Sequence, residues 1–267
     1  MKALVYFVAG LIFFLSACAP RAFNFGWRVR ELARAPGPDI ALVDPSNKVL
    51  ATVSTLTMRK FLLAHLRVTR VAGIHAALLL VDGNDPNAFA DDPGARPIIA
   101  VNLALLELLE NDEHEFAALI GHEAAHLARG HGASARTRTS TLNAIGAAVG
   151  MGMAAAGVPA SGVISGLAVD LVDTAYNREQ EREADALGVQ YAIKAGYDPA
   201  GALRLQEKLL KSGRAPIPFL SSHPSGEERI KNLKAIIAAA QAPAEQGQAS
   251  MAGDHRQSGA IAASVNE

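Results

Sequence analysis

The sequence predicts a mainly helical α+β fold in which a small antiparallel sheet lies beside a helical core. Two patterns carry this prediction. Apolar residues recur at helical spacing in several segments, of which Leu56 to Val71 is the first. After it, residues 76–82 and 97–102 form short apolar runs that are typical of strands. Half of the 267 residues are hydrophobic, so the chain can bury one substantial core, and we expect a single domain with tails.

The predicted elements follow one another along the chain. Residues 83–96, rich in Gly, Pro, Asp and Asn, form the turn between the two strands. The helices that follow are predicted over residues 103–111, 112–131, 177–196, 197–213 and 223–240. Residues 141–169, mostly Ala, Gly, Val and Met, are interpreted as two close-packed helices. A membrane hairpin is an open alternative for this segment, although each half is too short to cross a bilayer alone.

The first 17 residues have the layout of an export signal. Lys2 precedes an apolar run from Ala3 to Leu15, and small residues lead to Cys18, the single cysteine of the chain. The segment LSAC resembles the lipobox of bacterial lipoproteins, in which the signal is cut before the cysteine and the thiol is lipidated. We therefore expect a signal peptide over residues 1–17 and a lipid anchor at Cys18. An ordinary secretory signal and an uncleaved anchor are the alternatives.

The amino-acid composition divides the rest of the chain into a tether, a domain and a tail. Residues 18–40 contain several prolines and arginines and are interpreted as a lipidated tether. Residues 41–240 form the predicted domain, and residues 241–267, rich in Ala, Gln, Gly and Ser, are expected to be a disordered tail. Ala19 stands where aspartate would resemble an inner-membrane retention signal. The expected location is therefore the periplasm of a Gram-negative bacterium, with the anchor in the outer membrane.

The charge of the chain is nearly balanced, with 25 basic and 26 acidic residues. Proteins that bind nucleic acid present a basic face, often with aromatic residues between the charges. The sequence shows no such stripe, so a nucleic-acid partner is not expected.

The segment IGHEAAHLARGH places three histidines and a glutamate at residues 120–131. On a helix, residues four apart differ by about 40° around the axis, so His122 and His126 project from one face about one turn apart. Two neutral imidazoles at this spacing can bind one zinc ion. His131 is turned away from that face, so the third ligand must come from elsewhere. Three other histidines lack partners at ligand spacing and are expected to be structural or solvent-facing: His65, His75 and His114.

Glu123 lies beside the first histidine in the pattern H-E-x-x-H. In this pattern the glutamate faces the water bound to the metal and acts as its general base. The alternative is an ordinary helix that carries these residue types by chance. The pattern predicts a catalytic role for Glu123.

The acidic helix at 178–188 supplies candidates for the third ligand. Helical phase separates its carboxylates into the pair Glu179 and Glu183 and the pair Glu181 and Asp185. The second pair shares a face with small and apolar residues, which allows another helix to approach closely. We therefore predict Glu181 as the third zinc ligand and Asp185 as an acceptor that orients a ligand histidine. A solvated charged helix is the alternative.

Together, HEAAH, NREQEREAD and SHPSGEERI resemble the zinc metallopeptidase family of HtpX and the CAAX prenyl protease of the Ste type, in particular its periplasmic lipoprotein members. The resemblance covers most of residues 41–240. It implies a gluzincin-like fold, one zinc ion per chain and Glu181 as third ligand, in agreement with the helical phase. Asn177 departs from the family, which usually has serine at this position.

The resemblance implies a position near the active site for His223, where it would steady an oxyanion or occupy the open zinc position as a gate. A structural histidine before the last helix is the alternative.

The function that the predicted site and the resemblance imply is zinc-dependent hydrolysis of peptide bonds in unfolded or misassembled envelope proteins. An extended substrate would then bind along an exposed strand edge, for which Ile98 to Val101 is the candidate. The second hypothesis is a lipid-anchored chaperone or assembly factor with a structural or gated zinc site. A fourth protein ligand, for which His223 is the candidate, would favour it.

Overall fold

The computed structural model of the chain describes residues 5–9, 11–12, 25–44, 46–92, 97–132, 176–212, 219–220, 223 and 226–242. The strands in these ranges are β1 (Val5–Ala9), β2 (Leu11–Ile12), β3 (Phe25–Arg28), β4 (Asp39–Val43), β5 (Val49–Ser54), β6 (Ala77–Val81), β7 (Ala88–Asp91) and β8 (Ile98–Asn102). The helices are α1 (Val29–Leu32), α2 (Thr55–Ala72), α3 (Leu103–Leu108), α4 (Glu113–Ala128), α5 (Arg178–Lys194), α6 (Ala200–Lys211) and α7 (Glu227–Gln241). The fold is therefore mainly helical α+β, as the sequence predicts.

The larger sheet has five strands in the order β2-β3-β6-β8-β7, and the smaller one has three in the order β1-β4-β5. Both sheets are mixed. In the larger sheet β6 and β8 run parallel, whereas β3 is antiparallel to β6 and β7 is antiparallel to β8. In the smaller sheet β1 is parallel to β4, and β5 is antiparallel to it.

The expectation of an antiparallel pair formed by β6 and β8 is wrong. The segment 83–96, predicted to be only a turn, contains β7, which runs back along β8. Because this extra strand reverses the chain once more, β8 enters the sheet in the same direction as β6. β8 is also not an edge: it lies between β6 and β7, and its residues Ile99 and Val101 are fully buried. Among the described strands, β7 is the outer one on this side of the sheet.

The folded domain begins before the predicted boundary. Trp27 on β3 and the α1 residues Val29 and Leu32 are buried in the main core. The tether predicted over residues 18–40 is therefore corrected, since residues 26–40 belong to the fold. These apolar residues lie across a junction between a strand and a helix, so neither a period of two nor one of 3.6 marks them in the sequence.

Several predictions fall on parts of the chain outside the described ranges. They include the lipidation site Cys18, the paired helices over 141–169, and the tail over 241–267 except its first two residues. β1 and β2 fall within the predicted signal peptide. Of the helices that the structure describes, none is both long enough and apolar enough to cross a membrane.

α4, which carries the predicted metal motif, lies at the centre of the helical layer. Every residue from Glu115 to His126 is buried, because α4 packs against α2, α5 and α6. Its Phe116 ring contacts Phe61 of α2 at a centroid distance of 5.0 Å. Asp112 caps the helix by accepting hydrogen bonds from the first backbone N–H groups. A helix buried on all sides has little freedom to move, so its histidines are held in place.

Candidate metal centre

α4 brings the two histidines of the motif together. The Nε2 atoms of His122 and His126 lie 3.1 Å apart, and both side chains are buried. Burial disfavours the charged imidazole and lowers the pKa of His126 well below its ordinary value. A neutral imidazole has a lone pair for a metal, so His126 is ready to act as a ligand.

α5 brings a carboxylate to the same point. Glu181 Oε1 lies 3.3 Å from His126 Nε2, and Oε2 lies 3.5 Å from His122 Nε2. Its side chain is buried, whereas that of Glu179 is 82% exposed and points to solvent. Burial alone would raise the pKa of Glu181, but the imidazoles of His122 and His223 outweigh it and hold the pKa far below its usual range.

His223, from the segment before α7, completes the cluster. Its Nδ1 lies 3.0 Å from Glu181 Oε1 and 3.2 Å from His122 Nε2, and the residue is fully buried. The segment is held in place by backbone hydrogen bonds from His223 N to Phe219 O, at 2.8 Å, and from Phe219 N to Pro86 O, at 3.3 Å. The sequence placed His223 near the active site only by resemblance, and the structure places it among the predicted ligands.

One ligand atom from each of His122, His126, Glu181 and His223 lies within 4.8 Å of all the others. In a tetrahedral zinc site with bonds of 2.0–2.1 Å, neighbouring ligand atoms are roughly 3.3 Å apart. Four contacts among His122 Nε2, His126 Nε2, Glu181 Oε1 and His223 Nδ1 are between 3.0 and 3.3 Å and have this spacing. The set of imidazole nitrogens and one carboxylate oxygen also suits zinc chemically. The four residues therefore fit a metal ion.

The electrostatics of the cluster favour a positive charge at its centre. Burial and the charge of Arg229 both oppose protonation of His122. The carboxylates of Glu181 and Asp185 outweigh these effects and raise the pKa of His122 to about 9. A cation that replaces the proton would meet the same attraction, and binding it would release that proton.

Asp185 lies one turn beyond Glu181 on α5, beside the first histidine. Its Oδ1 is 3.1 Å from His122 Nδ1, so the imidazole can donate a hydrogen bond to it and keep Nε2 free for a metal. Burial alone would raise the pKa of Asp185, but the adjacent Arg229 guanidinium holds it below its ordinary value. This geometry fits the role predicted for Asp185, an acceptor that would orient His122 toward a metal.

Glu123 lies beside the cluster and outside it. Its side chain is fully buried, and neither carboxylate oxygen has a hydrogen-bond partner among the described residues. His223 Nε2, 3.6 Å away, is the closest basic group that the structure shows. Burial raises the pKa of Glu123, because the neighbouring charges only partly offset the loss of hydration. A raised pKa makes this carboxylate a stronger proton acceptor than an exposed glutamate.

Arg229 of α7 is a site residue that the sequence reasoning missed. Its Nε and Nη2 atoms each lie 2.7 Å from one oxygen of Asp185, and its Nη1 lies 2.7 Å from Glu181 Oε2. It is buried together with Leu233 and Ile237 at helical spacing. This spacing is the signal that was available, since an arginine in line with an apolar stripe must face the interior.

His131 is the second residue that sequence reasoning did not assign. Its Nδ1 lies 3.0 Å from Nδ1 of His126, on the side away from the cluster, and its Nε2 lies 3.2 Å from Glu183 Oε2. α4 ends at Ala128, and Gly130 with φ of 63° turns the chain back beside the helix. His131 therefore stays outside the metal cluster, as predicted, but Gly130 brings it beside the far nitrogen of His126, which helical phase alone does not indicate.

The departure at Asn177 leaves the start of α5 intact. Its side chain accepts a hydrogen bond from Gln180 N at 2.9 Å, and the Gln180 side chain accepts one from Asn177 N at 3.1 Å. This capping box fixes the first turn of α5, where Glu181 lies. Beside it, the Tyr176 ring stacks on His126 at a centroid distance of 3.8 Å.

The chain is similar to several known proteins, among them the following three. The chain is 32% identical over 171 residues to the mitochondrial metalloendopeptidase OMA1 of Arabidopsis thaliana, covering 64% of this chain and 33% of that protein. It is 31% identical over 152 residues to the metalloprotease LoiP of Escherichia coli K12, covering 56% and 58%. It is 28% identical over 166 residues to the beta-barrel assembly-enhancing protease of the same organism, covering 58% and 33%. In each case the match spans less than two thirds of the relative's length.

The family profile for peptidase family M48 matches residues 62–237, which is more than half of the chain. The matched region contains all four residues of the cluster, and it lies within the predicted domain of residues 41–240. The chain therefore belongs to peptidase family M48, a family of metallopeptidases.

Proposed function

We propose that the chain is a zinc-dependent endopeptidase. The observation that carries the proposal is the position of Glu123, a buried carboxylate without a hydrogen-bond partner in the described structure, directly beside four side chains that fit one metal ion. The narrower resemblance to HtpX and the Ste-type prenyl protease belongs to the same proposal. The names of the relatives, two metallopeptidases and a protease, support it.

In this proposal His122, His126 and Glu181 hold the zinc ion. When bound, zinc polarises the substrate carbonyl and lowers the pKa of an attacking water to about 7. Asp185 orients His122, and Arg229 holds both Asp185 and Glu181 in place. Two imidazoles and a carboxylate also suit other first-row metals, so the identity of the metal as zinc is itself proposed.

Glu123 is the proposed general base. Its carboxylate accepts a proton from the attacking water and returns it to the leaving amine of the cleaved peptide bond. The raised pKa makes this carboxylate a stronger base for the first transfer, and the protonated acid that results is the donor for the second. The buried position also keeps bulk water away from the proton while it is held.

His223 is the proposed gate of the site. In the described structure its Nδ1 lies next to Glu181 Oε1, at the corner that a substrate or water would need. Catalysis requires an open fourth position, whereas structural zinc sites have four protein ligands. His223 must therefore move aside for turnover. The alternative role, in which His223 stays near the site and steadies an oxyanion, is supported by its Nε2 lying 3.6 Å from Glu123.

The proposed substrates are unfolded or misassembled envelope proteins. The name of one relative, the beta-barrel assembly-enhancing protease, supports this class. An extended substrate segment would pair with β7, because β8 is covered on both sides by its neighbouring strands. N-methylation of alternate backbone amides of a substrate peptide should slow cleavage if this pairing occurs, and an unchanged rate would contradict it.

The proposal includes attachment to the membrane through a lipid on Cys18. It would place the domain in the periplasm, at the outer membrane of a Gram-negative bacterium. The motif LSAC and the apolar run before it support this location. Labelling of the full chain with a radioactive fatty acid, lost in Cys18→Ser, is the expected result.

A second function is favoured by one observation, the presence of His223 as a fourth candidate ligand. Four protein ligands are typical of a structural zinc site, so the chain could be a lipid-anchored chaperone or assembly factor. The two functions differ in what removal of His223 does. His223→Ala would increase peptidase activity if the histidine is a gate, and it would only weaken the metal site of a chaperone.

The test compares cleavage of an unfolded model protein by the zinc-loaded wild type and by Glu123→Gln. We expect Glu123→Gln to retain zinc and lose cleavage by about 100-fold or more, since a general base contributes 10²–10⁴-fold. Glu115→Gln is the matched control, because it alters a buried glutamate on the same helix that pairs with Lys208 instead. Equal cleavage by wild type and Glu123→Gln would contradict the proposal, and cleavage by neither, with His223→Ala also inactive, would favour the chaperone.

A further inference from the structure

Two histidines of the described structure face each other through the nitrogens that point away from the metal cluster. Nδ1 of His126 and Nδ1 of His131 are 3.0 Å apart, and the His131 side chain is only 6% exposed. Behind them, Nε2 of His131 lies 3.2 Å from Glu183 Oε2, and the other oxygen of Glu183 lies 2.7 Å from Arg129 Nε. A continuous chain of polar contacts therefore runs from the surface to His126.

The chemistry of these groups fixes the hydrogen on each nitrogen. A carboxylate paired with a guanidinium is ionised and only accepts, so Nε2 of His131 must donate to Glu183. A neutral imidazole carries one ring hydrogen, which leaves Nδ1 of His131 with a lone pair. Nδ1 of His126 must then donate to it. The hydrogen of His126 is thereby on Nδ1, and its Nε2, the atom in the cluster, has the free lone pair.

The two motif histidines are thus oriented in different ways. His122 meets a carboxylate directly, since Asp185 Oδ1 lies 3.1 Å from its Nδ1. His126 is linked to the Glu183 carboxylate through the imidazole of His131, which contacts both residues. The Glu183 side chain itself lies nearer the surface and is partly exposed. His131 spans this gap because Gly130 turns the chain back beside α4.

We propose that His131 and Glu183 are positioning residues that select the metal-binding tautomer of His126. The inference rests on the proposed function in one respect, that His126 is a metal ligand. Neither residue enters the metal cluster. Their effect is to hold the lone pair of His126 Nε2 toward the centre of the cluster, 3.1 Å from His122 Nε2, before any metal arrives. Partners of this kind change metal affinity by about 10–100-fold.

The test uses two readouts that need no substrate. The first is zinc affinity, measured by competition with a fluorescent chelator. The second is nitrogen-15 NMR of the histidine rings in the metal-free protein, which distinguishes the hydrogen on Nδ1 from that on Nε2. We expect His126 of the wild type to carry its hydrogen on Nδ1. A wild type with the hydrogen of His126 on Nε2 would overturn the proposal.

The variants separate positioning from packing. His131→Ala should lower zinc affinity by about 10–100-fold, whereas His131→Asn, whose amide oxygen can accept from His126, should recover most of it. Glu183→Gln should reduce both the affinity and the population of the Nδ1–H form, since a glutamine can also donate to His131 and reverse the chain. Glu179→Gln, on the exposed side of the same helix, should change neither.

Two results with these variants would contradict the proposed role of His131 and Glu183. Equal losses in His131→Ala and His131→Asn, or unchanged affinity in His131→Ala and Glu183→Gln, would overturn the proposal. Glu183 is partly exposed, so its variant tests the proposal even if the buried His131→Ala fails to fold. A wild type that binds zinc and shows the Nδ1–H form but cleaves no protein would contradict the proposed peptidase function and leave this inference standing.

Discussion

Gly121 of α4 and Gly188 of α5 bring the two helices of the metal centre into backbone contact. A Cβ atom added to Gly121 would lie 2.7 Å from the carbonyl oxygen of Gly188, and one added to Gly188 would lie 2.8 Å from the backbone nitrogen of His122. Glu181 and Asp185 lie about two turns and one turn before Gly188, respectively. The absence of two side chains therefore sets the distance at which the carboxylates of α5 meet the histidines of α4.

Gly188→Ala should push the two helices apart. Helix propensity alone would favour alanine by about 1 kcal/mol, but the contact is between backbones and cannot yield as a flexible side chain would. We expect a net loss of about 1–3 kcal/mol in the free energy of unfolding, as for other overpacked sites, together with weaker zinc binding. Urea unfolding and zinc titration measure the two effects.

Gly226→Ala is the control for this variant. An added Cβ there meets no atom within 4 Å, and its φ of 167° is extended backbone that any residue adopts. Equal losses in the two variants would show that the contact between Gly121 and Gly188 does not set the helix spacing.

Arg229→Leu should destabilise the domain by removing the positive charge between two buried carboxylates. Breaking a buried ion pair by removing one partner costs about 3–5 kcal/mol, because the remaining charge is left uncompensated. Arg229→Lys should recover only part of this, since a single ammonium cannot match both oxygens of Asp185. Urea unfolding of the metal-free protein is the measurement.

Arg182→Leu serves as the matched control for Arg229. Arg182 pairs with Glu179 and Glu228 at the surface, and its side chain is 47% exposed. Its loss should change stability by less than about 1 kcal/mol, as is usual for surface ion pairs. Similar effects of the two leucine variants would contradict the role given to Arg229.

His65 should make the fold sensitive to mild acid. It is buried on α2, where Nε2 donates to the carbonyl of Ala76 at 3.0 Å and Nδ1 has no hydrogen-bond partner in the described part of the chain. Burial lowers its pKa from 6.5 to about 4. Between these values the unfolded chain binds a proton that the folded chain does not, so stability falls as pH falls through this window.

The loss from His65 should reach roughly 3 kcal/mol near pH 4, since each unit of pKa difference corresponds to about 1.4 kcal/mol. His65→Gln keeps the donor to Ala76 and removes the titration, so its free energy of unfolding should fall less steeply between pH 7 and pH 4. His75→Gln, an exposed position, should follow the wild type. A wild type and His65→Gln with parallel pH dependence would rule out this origin of acid sensitivity.

Removal of the metal should loosen the fold as well as stop the reaction. The cluster joins α4, α5 and the segment before α7, which are far apart in sequence, so an ion bound there stabilises the folded state alone. At zinc concentrations 100 times the Kd the gain is about 2.7 kcal/mol. Thermal unfolding with and without chelator should show a lower Tm for the metal-free protein and recovery on adding zinc.

His126→Ala supplies the comparison for metal removal. It lacks one proposed ligand, so chelator should leave its Tm unchanged. A chelator effect of the same size in His126→Ala and in the wild type would place the stabilising metal somewhere other than the cluster.

The metal-site residues that could be predicted from the sequence are those whose faces follow from helical periodicity within a single helix. His122 and His126 follow from their spacing of four, and the choice of Glu181 over Glu179 follows from which face of α5 has small residues. The structure buries the first three and exposes Glu179. Phase works here because both helices are regular and long.

The features that the sequence did not predict depend on contacts between separate helices and strands. Arg229 acts across three helices, and no pattern within α7 alone indicates its carboxylate partners. His131 lies beyond Gly130, where the left-handed turn ends the helical phase. The direction of β8 depended on an extra strand hidden in a polar turn, and Trp27 lay in a segment too short for periodicity. Such relationships come from the tertiary packing of separate segments.

Crystal diffraction of the zinc-loaded wild type at the zinc absorption edge would test the metal centre most directly. We expect one anomalous peak per chain, at about 2.0–2.2 Å from Nε2 of His122, Nε2 of His126 and a carboxylate oxygen of Glu181. A zinc-loaded chain without a peak among these three side chains, or with its peak at other residues, would show that they do not hold the zinc ion.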